Sequence, residues 1–217
     1  LTAEAIALAE EGLVTHPDDP GLLTARGVAR ALRGDLAGAM QDAQAAVARA
    51  PTDADTAALV ASLYQRQNRN DEALAVLLRA SVAAPDNVGL RVILAQALVA
   101  AGRGGEAEQQ LIEVIKVEPG VLKHRYRLAQ FYALRKHIDA AEKTLRDAVT
   151  VAPDEVEPKL ALANLIASQR SFETGEKSLK QLIASDRANL ALQLGLGQFY
   201  EAHQRPVLAG AVYRSVM

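Results

Sequence analysis

The sequence predicts an all-α chain, a right-handed solenoid of about 13 helices arranged in antiparallel pairs. Three observations carry that prediction. Prolines recur every 34 residues, small residues recur in two fixed columns, and the composition is rich in alanine while only 4% of residues are aromatic.

Pro17, Pro51, Pro85, Pro119 and Pro153 stand 34 residues apart, and Arg187 is the first slot to lapse. With only 8 prolines in 217 residues, five in one register are not chance, and a period of this size marks stacked helical hairpins. Units counted from Pro20, Ala54, Val88, Leu122, Val156 and Leu190 keep a small eighth residue: Gly27, Ala61, Ala95, Ala129, Ala163 and Gly197. The twentieth residue is small as well, reading Ala39, Ala73, Ala107, Ala141, Gly175 and Ala209, with Ala5 in the partial unit before them. The seventh column carries Val60, Leu94, Leu128, Leu162 and Leu196. The eleventh carries Tyr64, Leu98, Tyr132, Ile166 and Tyr200. Places 4, 7, 8 and 11 share one helical face, so these residues form a packing stripe.

These columns resemble the signature of the tetratricopeptide-repeat family. The resemblance covers the whole chain: the second helix of a partial repeat over 1–19, full repeats over 20–53, 54–87, 88–121, 122–155 and 156–189, and a truncated repeat over 190–217. It implies a superhelix of helix pairs acting as one array over 1–217. The sequence departs from the signature at place 4, where Leu23 gives way to Arg91, Arg125, Lys159 and Gln193, and in the first full unit at Arg26 and Arg30.

Local signals agree. Asp19, Asp53, Asn87 and Asn189 precede the first helix of their units, where a short polar side chain accepts a bond from an orphan amide. Gly34 and Gly102 fall between paired helices, and Pro206 fits a first helical turn, where its missing donor costs nothing. Each helix is expected to run about 12 to 14 residues. No linker or low-complexity stretch interrupts the pattern.

The residues offer little for chemistry. A net charge of −2 and a pI near 6.1 give no electrostatic reason for nucleic acid or an anionic membrane as partner. The absence of cysteine removes disulfides and thiolate metal sites. No apolar run is long enough to span a membrane, and a start at Leu1 without Met suggests a piece of a longer protein. His16, His124, His137 and His203 lack metal-ligand spacing and are expected at the surface. Gly102, Gly104 and Gly105 lie between helices rather than after a strand, so they read as a turn and not a phosphate cradle. Glu142 and Lys177 fall on outer, second helices, where their substitution is expected to change little in stability or binding. No catalytic, cofactor or metal residue is assigned, and the fragment is not expected to be an enzyme.

The family resemblance implies that first helices line an inner groove. Place 9 then aligns Gln96, Gln130, Asn164 and Gln198 as a ladder of amides, each able to donate to and accept from a peptide backbone. Place 5 aligns Val92, Tyr126, Leu160 and Leu194 as an apolar row beside it. Lys123 and Arg127 resemble the basic residues with which some members hold a carboxylate, but the remainder of that clamp is missing. The run from Lys123 to Lys136 carries no acid, which would suit an acidic client segment if it forms a site.

The expected function is a protein-interaction scaffold that holds an extended or helical client segment in its groove, within a larger assembly. The alanine-rich, arginine-over-lysine style of the first half resembles bacterial arrays of cell-envelope assembly or polysaccharide export, which puts the periplasmic side ahead of the cytoplasm. Two alternatives are a regulatory or substrate-presenting portion of an enzyme, and self-association through exposed end helices. No nucleic acid or small-molecule partner is expected.

Overall fold

The computed structural model describes residues 2–186 and 188–216; Leu1, Arg187 and Met217 lie outside the described residues. Thirteen helices occur among the described residues. They are α1 (Thr2–Thr15), α2 (Pro20–Leu32), α3 (Leu36–Arg49), α4 (Ala54–Arg66), α5 (Asn70–Ala83), α6 (Val88–Ala100), α7 (Gly104–Val117), α8 (Leu122–Leu134), α9 (Ile138–Val151), α10 (Val156–Gln169), α11 (Phe172–Ser185), α12 (Leu190–Ala202) and α13 (Pro206–Val216). The chain divides into two compact units, Leu1–Val117 with α1 to α7 and Glu118–Met217 with α8 to α13. Within each unit every helix packs on the next. First helices of successive repeats also touch, α2 on α4 and α4 on α6 in the first unit and α10 on α12 in the second.

The six first helices start at the residues from which the repeat was counted, because a side chain stops the preceding loop there in four of them. Asp19, Asp53, Asn87 and Asn189 accept the amides of Leu22, Thr56, Leu90 and Leu192 at 2.7 to 3.0 Å. Asp35 and Ser171 cap α3 and α11 in the same manner. The turn inside each hairpin depends on one left-handed residue. Gly34 and Gly102 adopt φ of 87° and 74°, as the sequence suggests. Asn68, Lys136 and Gln204 occupy the same slot of their repeats at φ 60°, 63° and 59°. Arg170 departs from the rule with φ −117°, and α10 runs to 14 residues where the other first helices have 13.

The paired helices meet at the two small columns. Ala39, Ala107 and Ala141 have no exposed surface, and Ala163 opposite Gly175 has none either. A Cβ added at Gly175 would lie 2.6 Å from the Ala163 carbonyl oxygen and 2.8 Å from the Ala167 amide nitrogen, backbone atoms that cannot yield. Around these contacts lie the apolar clusters: Ala43, Leu59, Val60 and Leu63 in the first unit, and Leu179, Leu192, Phe199 and Tyr200 in the second.

Several charged residues are parts of this packing. Arg91 and Arg125, at place 4, run their stems along the helix and donate back to the carbonyls of Pro85 and Pro119 at 2.6 and 2.5 Å. Arg125 is buried as a result, which explains how a charged residue replaces the bulky apolar one, and Lys159 at the same place of the next repeat is buried as well. Arg26 and Arg30 converge on Asp42, itself 3% exposed, with Arg26 binding both carboxylate oxygens. Glu142 does not lie on an outer face. It is 5% exposed and held by Arg146 at 2.7 Å and by Arg170, which also reaches Asp139.

Three outcomes test this account. Gly175→Ala and Ala141→Leu each lower stability by about 1 to 3 kcal/mol in thermal melts, the usual cost of overpacking a fixed contact. Lys136→Gly raises stability by about 1 kcal/mol by relieving the left-handed strain of a residue with a Cβ. Glu142→Ala costs about 1 to 2 kcal/mol, at the lower end for charged hydrogen bonds because Arg146 and Arg170 remain half-exposed. A melt of Glu142→Ala that matches the unaltered chain would show that the network does not stabilise the fold.

Candidate functional site

In the second unit, α10 and α12 open a cleft of about 620 Å³. Leu160, Asn164, Leu194 and Gln198 line it together with Val156, Glu157, Ala161 and Ala191. These residues meet because places 5 and 9 of two adjacent first helices project the same way, and because Gly195 lets α12 approach α10. A Cβ there would stand 3.2 Å from both Leu160 and Val156, so the cleft has a closed apolar floor. Leu194 is 40% exposed above that floor, an aliphatic group left in water on a packed helix.

The amides are not equivalent. Gln198 and Gln130 are exposed, whereas Asn164 is half-buried and its Oδ1 lies 3.0 Å from His203 Nε2. With Nε2 carrying the proton, His203 donates to that oxygen and leaves the Asn164 amide NH₂ to donate elsewhere. His203 also packs on the Phe199 ring, with centroids 4.6 Å apart. It is therefore a positioning neighbour of the cleft.

Other expected site residues lie elsewhere. Val92, half-buried, and Gln96, exposed, belong to α6 in the first unit. Tyr126 on α8 packs against Ala129, Leu145, Leu162 and Ile166, and its buried hydroxyl has no hydrogen-bond partner. Desolvation, followed by the charges of Glu157 and Glu155, pushes that phenol up to about 12. The basic run of α8 does not form one patch. Lys123 is exposed, but Arg125 is tied to Pro119, Arg127 is half-buried 3.2 Å from His124 Nδ1, and Arg135 stacks over Phe131. His124, expected at the surface, is 5% exposed and meets Glu118 at 2.5 Å. His16 and His137 are exposed.

The first unit has a larger cleft, about 800 Å³, along α2 and α4. Val28 and Ser62 hold place 9 there, with Ala25, Ala58 and Leu32 around them. The repeat period could have found it, since Val28 and Ser62 stand one whole repeat apart at place 9, but neither carries an amide. Ser62 spends its hydroxyl on the Leu59 carbonyl and Arg66 donates to Ala31, so this wall is apolar and offers few free polar groups. Among the described residues no three histidines or carboxylates gather in a way that could hold a metal ion, and no helix is long and apolar enough to cross a membrane.

A family model for the tetratricopeptide repeat matches residues 2–54, 61–115, 94–156 and 160–216. No curated protein matches the chain in sequence. Among solved structures, the C-terminal part of a tetratricopeptide repeat-containing protein from Cytophaga hutchinsonii is similar over 99% of this chain and 89% of its own, with a TM-score of 0.61 and 14% identity. A tetratricopeptide repeat protein from Parabacteroides merdae is similar over 91% of this chain and 78% of its own, at TM-score 0.57 and 18% identity. A protein named MamA is similar over 77% and 92%, at 0.55 and 15%. These likenesses are of fold. The matched repeats run from α1 to α13, and on that ground the chain belongs to the tetratricopeptide-repeat family.

Proposed function

We propose that this chain is a scaffold that binds an extended segment of a client protein along the α10–α12 wall. Its family supplies the general role, since a tetratricopeptide-repeat fold points to protein interaction. The observation that carries the specific reading is the cleft itself, an apolar floor of Leu160 and Leu194 bordered by the amides of Asn164 and Gln198. An extended backbone presents alternating donors and acceptors with side chains to either hand. Amides can meet the first while an aliphatic floor receives the second. Lys123, Tyr126, Arg127 and Gln130 on α8 extend the proposed partner surface within the second unit, and Val92 and Gln96 on α6 are proposed as a separate surface of the first unit.

An array of random 12-residue peptides probed with the labelled chain tests the reading. Leu194→Asp with Gln198→Ala abolishes retention of most bound peptides, because each lost hydrogen bond contributes about 0.5 to 1.5 kcal/mol and the buried aspartate adds a larger penalty. Both residues are exposed and off the packing columns, so the melting temperature stays unchanged. Equal retention by the double variant and the unaltered chain would move binding away from this wall.

A further inference from the structure

The second unit is basic, with 14 basic and 11 acidic residues over 118–217. Its cleft is not. Among the described residues that line it, Glu157 is the one charged group, and the remainder are aliphatic or amide. Four other acids of the unit are held within the fold: Glu142 and Asp139 by Arg170, Glu176 by Lys180 and Tyr200, Glu118 by His124. Glu157 is exposed and pairs with no base among the described residues, and Glu155 precedes it by two residues on the same turn.

Resting on the reading of the cleft as the client site, we infer that it selects a segment in which a large aliphatic residue is flanked by lysine or arginine. The aliphatic side chain seats over Leu160 and Leu194 while the cation pairs with Glu157. Three features of the site converge on this chemistry. The closed floor beneath Gly195 admits a branched aliphatic group but offers no polar atom to a charged one. The free NH₂ of Asn164 donates to a backbone carbonyl, fixing the segment over the floor. After desolvation, the carboxylates of Glu157 and Glu155 both push the buried Tyr126 phenol up, which places two negative charges at this end of α10.

Glu157 also lies in the first turn of α10, where an acid favours the helix dipole. That role alone would make Glu157 a stabiliser with no bearing on client choice, so the two roles separate experimentally. In the same 12-residue array, bound peptides are enriched in lysine or arginine within two residues of leucine, isoleucine or valine. A lysine-containing hit binds the unaltered chain about two- to fivefold tighter than its glutamine analogue, the size expected for an exposed ion pair. Glu157→Gln removes that gap while leaving the glutamine analogue's affinity in place, and added sodium chloride narrows it.

Enrichment of acidic peptides, or a gap that survives Glu157→Gln, overturns the inference. A loss of melting temperature in Glu157→Gln with the gap intact assigns Glu157 to the helix alone. If no bound peptide depends on Leu194 and Gln198, the client-site reading itself fails, an outcome distinct from the loss of basic selectivity.

Discussion

The structure depends on how closely two helices can approach within a hairpin. At Gly175 the facing backbone is so near that even a methyl group would meet the Ala163 carbonyl at 2.6 Å, and Ala39, Ala107 and Ala141 are sealed at the same place of their repeats. Close approach turns main chain against main chain, so dispersion contacts accumulate without large side chains. That is why a chain with only 4% aromatic residues can hold thirteen described helices. Stability of this kind adds repeat by repeat, each hairpin supported by its neighbours within a unit.

Helix positions were legible because several independent signals fall at one period. The cap at Asp19 recurs at Asp53, Asn87 and Asn189, and each bonds the amide three residues ahead. The left-handed slot was legible only where glycine marks it. Asn68, Lys136 and Gln204 carry no such mark, yet each sits a whole number of repeats from Gly34 and Gly102 and shares their conformation. Position in the period was the better guide there than residue type.

Charge was the hardest property to place. A hydrophobic stripe assigns every ionisable residue to solvent, but Arg125, Lys159, Asp42 and Glu142 are buried. Arg125 depends on a partner that the stripe ignores, the Pro119 carbonyl. Glu142 depends on Arg146 one turn away, which sequence spacing shows, and on Arg170 in another hairpin, which it does not. His124 was misjudged for the same reason, its partner Glu118 lying before the helix starts.

The candidate site shows what a period does and does not specify. Spacing by whole repeats fixes the direction in which side chains project, so Leu160, Asn164, Leu194 and Gln198 meet in one cleft. It does not fix what each side chain is already bonded to. Asn164 is engaged by His203, 39 residues away, while Gln198 in the same column faces water. Packing occupies places 4, 7, 8 and 11 of the first helices, while places 5 and 9 mix structural residues such as Tyr126 with exposed ones such as Leu194 and Gln198. Substitution at the exposed members changes the surface without disturbing the hairpins, and one repeated scaffold can therefore carry an apolar wall at Val28 and an amide-bordered one at Gln198.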